Sequence, residues 1–305
     1  MKVFHCDQFT YPLPAGHRFP AGKYTLLRER VGRELSGRCE MLTPEAATEA
    51  ELLLVHDREY LDKVATGGLS SREVRRIGLP WSPELVERSR RSVGSSLGAC
   101  RAAVANGLAA SLTGGTHHAY ADHGEGFCVF NDVAVAARAM QREGRVRRAV
   151  VIDCDVHQGN GTASIFRNDP SIYTFSMHGA KNFPLHKEQS DLDVELPDGT
   201  DDRLYLDLLM GGLDRVLPAS RADLAIYLAG ADPFAGDTLG RLALTKEGLA
   251  QRDCVVFECC REAGIPVAVV MGGGYARRIE DTVDIQFRTI SIALELAPAF
   301  RTVID

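Results

Sequence analysis

In the stretch Val150 to Gly161, VVIDCDVHQGNG, an apolar β-branched run turns abruptly into ionisable side chains. Val150, Val151 and Ile152 suit a strand buried on both faces of a parallel sheet. Asp153, Asp155 and His157 then recur at every second position, so all three begin on one side of the strand's end. Three ionisable groups at the tip of an apolar strand are costly unless something pairs with them, and a divalent cation does so. Asp232, in Gly230-Ala231-Asp232-Pro233 after another apolar run, joins the set if its strand is a near neighbour. Two carboxylates and one imidazole leave an open coordination position, as in a catalytic rather than a structural zinc site. The oxygen-rich donor set also admits Fe2+, Co2+ or Mn2+. A lone D-x-H often just hydrogen-bonds a loop; the placement of Asp232 after an equivalent strand favours the metal.

A hydrolytic metal site needs a base to take a proton from water and an acid to give one to the leaving amine. His117 and His118, after Gly114-Gly115-Thr116, titrate in the right range. Their candidate partners are Asp153, left over once Asp155 takes the metal, and Asn160. An anionic partner raises a histidine's pKa and a neutral amide does so much less, so the two differ in proton affinity. Tyr275 follows Gly272-Gly273-Gly274, a run that lets backbone come close to a ligand. A phenol beside a metal can donate to the oxyanion of a tetrahedral intermediate; the plainer alternative is a packed tyrosine in a turn. Phe127, in Gly126-Phe127-Cys128, and Phe183, in Asn182-Phe183-Pro184, could flank a narrow channel for an aliphatic chain, although core packing is a phenylalanine's ordinary role. Phosphate binding is the weaker reading. No G-x-G-x-x-G opens a helix, and Gly159-Asn160-Gly161 lies beside charged residues.

Strands and helices alternate over most of the chain. Met1 to Tyr24 reads as loop, and Lys23 to Arg33 could begin a helix. Pro44 to Glu49 and Asp57 to Val64 read as helical, joined by a short strand over Leu52 to Val55. Ser82-Pro83-Glu84 is a helix start with Ser as N-cap and Pro in the first turn, running to Asn106-Gly107. Asn131-Asp132 caps a helix over Val133 to Arg142, and Gly161 to Arg167 gives a short one. Ser171 to Ser176 reads as a strand, followed by a polar loop from His178 to Asp193. Asp201 to Leu217 has helical spacing, with Pro218 beyond its end. Leu224 to Ala229 and Ile265 to Met271 are strands, Gly248 to Ala263 a helix capped by Thr245, and Glu280 to Leu296 the last helix. The pattern predicts a mainly parallel sheet with helices on both faces, in one domain over residues 1–305. Ligands of such sheets bind outside the carboxyl ends of the strands, where Asp155, His157, Asp232 and Tyr275 fall.

Composition narrows the class. The 305 residues are 45% hydrophobic and 25% charged, with a formal net charge of −6, as in ordinary soluble domains. No Lys/Arg cluster of nucleic-acid-binding size appears, so direct nucleic-acid binding is not expected. The start MKVFHCDQ lacks a signal-like apolar core, and no apolar run approaches the ~18 residues of a membrane span. The eight cysteines are scattered apart from Cys259-Cys260, and four of them (Cys100, Cys128, Cys154, Cys254) sit in or beside apolar runs. Reduced, buried thiols in a cytoplasmic protein are expected rather than a disulfide framework.

GGTHHAYADHGEGFCVFND, VVIDCDVHQGNGT, LAGADPF and MGGGYA, in this order, resemble the motif set of the zinc-dependent histone deacetylase superfamily, which includes acetoin-utilisation proteins and acetylpolyamine amidohydrolases. The resemblance spans about Gly114 to Tyr275. The short length, HQGNG and SMHGAKNFP are more similar to compact class IV-like members. It implies a three-layer arginase/deacetylase α/β fold and zinc on Asp155, His157 and Asp232. It implies His118 as general base and acid, with His117 as electrostatic partner held by Asp153, and Tyr275 polarising the scissile carbonyl. Phe127 and Phe183 would line the acyl-lysine channel, and Gly126 would bring backbone close to the substrate. A structural potassium ion would fall on Asp153, Asp155 and His157 carbonyls with Ser176 and Met177. Gln158 and Asn160 depart from the His and Asp of many members, so the partner of His118 is a neutral amide here.

The reading is a metal-dependent amidohydrolase that removes an acetyl or other acyl group from an amine, most simply acyl-lysine, with metal-activated water. The nearest rivals are an acetylpolyamine amidohydrolase and a long-chain lysine deacylase. An arginase-type enzyme needs a second set of metal ligands, and a catalytically silent acyl-binding module sits poorly with intact His118 and Tyr275.

Overall fold

The computed structural model describes residues 1–301. Eight strands, β1 (Lys2–Phe4), β2 (Glu40–Leu42), β3 (Leu108–Ser111), β4 (Ala149–Asp153), β5 (Ile172–Gly179), β6 (Leu192–Leu196), β7 (Leu224–Ala229) and β8 (Val267–Met271), form one sheet. Its order is β2-β1-β3-β8-β7-β4-β5-β6, and every adjacent pair is parallel. All carboxyl ends therefore open on one edge. The helices are α1 (Gly22–Glu34), α2 (Glu49–Leu52), α3 (Arg58–Thr66), α4 (Ser71–Ile77), α5 (Pro83–Asn106), α6 (Asp132–Arg142), α7 (Asn160–Phe166), α8 (Asp202–Ser220), α9 (Lys246–Glu262) and α10 (Ile279–Arg301).

Strand alternation divides the core in two. Val150, Ile152, Ala225, Tyr227, Val267 and Val269 pack with α1, α8, α9 and α10, whereas Val151, Ile226, Leu228, Ala268 and Val270 pack with α3, α5 and α6. Helices thus cover both faces, and the three layers follow from central strands that are apolar on both sides.

Local signals mark several helix starts. The Ser82 side chain accepts from Leu85 N–H, with Pro83 in the first turn of α5. Asn131 and Thr245 accept from Ala134 and Gly248 N–H at α6 and α9.

The sheet edges and some boundaries differ from expectation. The N-terminal stretch contributes β1, and Glu40–Leu42 and Leu192–Leu196 are strands; three to five residues in length carry too little periodicity to separate from loop. Leu52 to Val55 is no strand. Thr48 and Glu51 form a capping box that starts α2, and the apolar run ends that helix and turns. Helix α4 is an addition to the expected elements, and Ser70 and Glu73 supply the same box. Helices α8 and α10 run past Pro218 and Pro298 to their ends. Proline near a last turn withdraws one hydrogen bond without breaking what precedes it. All eight cysteines are free, but Cys254, expected among the buried thiols, is only half-buried.

His56, in the turn after α2, is 2% exposed. Its Nδ1 donates to Tyr120 O at 3.0 Å and its Nε2 accepts from Asn131 N–H at 3.0 Å. The ring is held as the neutral tautomer, and burial pushes its pKa down from the ordinary 6.5 to about 4. The unfolded chain takes up this proton first. His56 therefore contributes its full stability above pH 6.5 and loses it as pH falls toward 4. Between pH 7 and 4, denaturant unfolding of the wild type should lose roughly 3 kcal/mol more than that of His56→Gln; equal losses would assign the acid sensitivity elsewhere.

Candidate active site

The site forms where β8, β7 and β4 lie side by side. Neighbouring strands are about 4.8 Å apart, so residues just past their ends meet without long loops. Asp155 and His157 follow β4, Asp232 follows β7 and Tyr275 follows β8. One donor atom from each of Asp155, His157 and Asp232 lies within 4.8 Å of the others, and all three residues are buried.

His157 Nδ1 faces both carboxylates, 3.0 Å from Asp155 Oδ1 and 3.1 Å from Asp232 Oδ2. Only the Asp155 contact has hydrogen-bond geometry, which leaves Asp232 Oδ2 a buried acceptor with no donor. The other oxygens are anchored: Asp232 Oδ1 accepts from Val156 N–H at 2.9 Å and Asp155 Oδ2 from Gly273 N–H at 2.6 Å. Burial and the neighbouring Asp155 push Asp232 up to about 7. Burial opposes charge on His157, yet the adjacent Asp155 and Asp232 carboxylates outweigh that and push it up to about 10. The cluster thus demands positive charge, which a divalent cation supplies better than a proton. Gly273 keeps the place clear: a Cβ there would lie 1.9 Å from Asp232 Oδ2. The residues fit a metal ion.

The histidine pair is placed by α6. The Asp132 carboxylate accepts from Gly115 N–H at 3.1 Å, Thr116 N–H at 2.6 Å and the Ser96 hydroxyl. Asn131 Nδ2 donates to Ala119 O at 2.9 Å. So held, His117 Nδ1 donates to Asp153 Oδ2 at 2.6 Å, and His118 Nδ1 donates to Asn160 Oδ1 at 2.7 Å. Asn160 Nδ2 donates in turn to Tyr120 Oη at 3.1 Å and Glu125 Oε2 at 3.2 Å, which fixes the amide's orientation. Burial works against charge on His117, but Asp153, with Asp155 behind it, pushes its pKa up to about 9. Burial, with His117 and His157 nearby, holds His118 well below the ordinary range. The two rings, 4.1 Å apart between centroids, therefore differ in proton affinity.

Tyr275 meets the His157 ring edge-on, with centroids 6.4 Å apart. Burial, then Asp155 and Asp232, raise its phenol well above the ordinary value, so it stays a donor. Its backbone is pinned by Asp237, whose Oδ2 accepts Tyr275 N–H at 2.6 Å. Phe127 and Phe183 line one cleft of about 800 Å3 with Gly126, His118, His157 and Tyr275. Phe183 meets His118 edge-on at 4.9 Å, and Phe127 lies 6.0 Å from Tyr275. Gly126 has φ 57°, and a Cβ there would lie 2.6 Å from His118 Cδ2. Ser176 and Met177 lie on β5 beside β4, with Ser176 opposite Asp153.

Several supports escaped the reading of the sequence. Asp237 stands five positions after Asp232, an interval with no meaning until the loop folds back. His56 and Arg252 lie far off in sequence; Arg252, fully buried, donates to Gly230 O at 2.5 Å, at the end of β7. Asn131 and Asp132 alone carried a signal, and that as a helix start.

Fold and site together define an α/β protein with a cation-accepting centre at the carboxyl edge of a parallel sheet. A family model for the histone deacetylase domain matches residues 17–288. The chain belongs to the histone deacetylase family and is a hydrolase of that family. It is 44% identical over 282 residues to an uncharacterized protein of Picosynechococcus, covering 92% of this chain and 94% of that one. It is 31% identical over 288 residues to the histone deacetylase-like amidohydrolase of Pseudomonas aeruginosa, covering 87% of this chain and 74% of the relative. With the rat polyamine deacetylase HDAC10 it shares 32% identity over 264 residues, 74% of this chain but 45% of the relative. The HDA15 HD domain superposes with a TM-score of 0.83 at 22% identity, covering 100% of this chain and 94% of that one, which establishes a shared fold.

Metal analysis of the purified protein should return about one divalent ion per chain, as expected for a mononuclear three-ligand site. Asp232→Asn, which keeps an acceptor for Val156 N–H, should lose most of it while circular dichroism is unchanged. Full occupancy in that variant would remove Asp232 from the ligand set.

Proposed function

We propose that this chain hydrolyses the amide of an acylated amine, acyl-lysine first, releasing the acid and the free amine. The observation that carries this reading is convergence: the Asp155–His157–Asp232 cluster, the neutral His118 and the phenol of Tyr275 meet at one cleft flanked by Phe127 and Phe183. Asp155, His157 and Asp232 would hold the ion, which we take to be zinc, with Fe2+, Co2+ or Mn2+ as alternatives. When bound, such an ion acidifies water and polarises a carbonyl oxygen.

The remaining chemistry falls to the chain's own groups. With Nδ1–H engaged by Asn160, His118 presents a free Nε2 lone pair as the base, and the same nitrogen then returns the proton to the departing amine. His117, kept cationic by Asp153, adds positive charge without competing for that proton. The Tyr275 hydroxyl donates to the oxyanion as the carbonyl becomes tetrahedral. Phe127 and Phe183 exclude water from the acyl stem, and the Gly126 backbone approaches it. The same reading includes a structural potassium ion on Asp153, Asp155, His157, Ser176 and Met177, one catalytic domain over the whole chain, and a cytoplasmic setting supported by eight unpaired thiols. Among the described residues, no helix is long and apolar enough to cross a membrane.

The reading and its two nearest rivals define the substrate panel: acetyl-lysine peptide, acetylspermidine and myristoyl-lysine peptide, assayed for amine release. Turnover of the second or third alone would move the reading to a polyamine or long-chain deacylase; turnover of none would reject it. Tyr275→Phe should cost on the order of 10² or more in kcat at unchanged metal content, like the loss of one oxyanion donor. Unchanged turnover would exclude the phenol from the reaction.

Asn160→Asp exchanges a neutral partner of His118 for an anion and should raise its pKa. The acid limb of the kcat/KM profile should move up by about one pH unit. A profile that does not move would place the titrating base elsewhere.

A further inference from the structure

The cleft's mouth has a charge that neither the chain's net charge of −6 nor the proposed chemistry requires. Five cationic side chains line it, Arg18, Arg75, Arg76, Lys181 and Arg241, against one carboxylate, Glu125. Glu125 accepts from Asn160 at 3.2 Å. Lys181 and Arg241 share Asp198, at 3.8 and 3.1 Å. Among the described residues, no carboxylate lies within ion-pair distance of Arg18, Arg75 or Arg76, and all three are exposed.

These cations are fixed to the site by backbone. Gly126 and Phe127 N–H donate to Arg76 O at 3.2 Å and Ile77 O at 2.7 Å, which ties the last turn of α4 to the channel wall. His17 Nε2 donates to Gly78 O at 3.0 Å and brings the loop of Arg18 to the same edge. The end of α4 suits Arg75 and Arg76 through the helix dipole. It does not account for Arg18, Lys181 and Arg241, which arrive on other segments.

We infer that the substrate presents its acylated amine on an anionic body, specifically an acidic peptide carrying the acyl-lysine, and that Arg18, Arg75 and Arg76 select it. This deepens the amidohydrolase reading and rests on it. Charges within about 8 Å of one another are only partly screened at physiological ionic strength, and a low-dielectric cleft concentrates the field of a one-signed rim. A basic peptide or a polyamine must bring its cations against these arginines as the amide descends; a glutamate- or aspartate-flanked lysine brings their partners.

The test compares three acetyl-lysine peptides of equal length, with acidic, neutral and basic flanks, and acetylspermidine. Both kcat/KM of the protein as purified and affinity for the metal-stripped protein, by fluorescence anisotropy of labelled peptides, are measured. At ~50 mM salt the acidic peptide should exceed the basic one about tenfold in both readouts, and the gap should close to about twofold at ~500 mM. Arg75→Glu/Arg76→Glu, at exposed positions, should reverse the order with circular dichroism unchanged. Equal or opposite preference in the wild type overturns the inference and leaves amide hydrolysis standing. Hydrolysis of none, with the acidic preference kept in binding, rejects hydrolysis and retains the rim; hydrolysis of none without that preference overturns both.

Discussion

Two carboxylates and an imidazole meet, buried, at the ends of adjacent parallel strands, and their excess negative charge must be met there. Much of the surrounding structure serves that constraint. Backbone N–H groups of Val156 and Gly273 take one oxygen of each carboxylate, leaving the opposite oxygens of Asp155 and Asp232 near His157 Nδ1. Gly273 has no side chain because any Cβ would occupy the same space. Buried groups left without partners cost several kcal/mol each, so a cluster built this way is stable only when it holds positive charge.

The same economy governs the histidines. Two identical rings in sequence are made chemically unlike by their partners, a carboxylate for His117 and an amide for His118. The amide keeps its register because its nitrogen is itself engaged by Tyr120 and Glu125. Behind the rings, Asp132 gathers the Gly115–Thr116 turn, while His56 bonds Asn131, and Asn131 holds the Ala119 carbonyl. A polar network this connected fixes geometry because each lost partner strands another buried group.

The parallel sheet explains why these parts can be short. Strand-end residues of β4, β7 and β8 need no long loops to converge, and the loops that remain free, around Arg18 and Lys181, line the mouth with the end of α4. The ionisable cluster lies at the strand tips and the exposed cations at the rim, so the rim can vary without disturbing the buried cluster.

Much of this was legible along the chain. Central strands announce themselves as unbroken apolar runs, helix starts as Ser, Asn or Thr caps, and the donor residues by their place just past those runs. Such signals are local, set by neighbours a few residues away. The edge strands β1, β2 and β6 are too short, at three to five residues, to bear a period, and α4 has seven residues with one buried side chain, so only its capping box marks it. What tertiary structure alone decided is adjacency. That β8, β7 and β4 are neighbours, that Asp237 folds back onto Tyr275, that His56 reaches Asn131, and that cations from four segments crowd one opening are results of packing between residues distant in sequence. No local pattern encodes such contacts, because the burial that stabilises them exists only once the sheet has assembled.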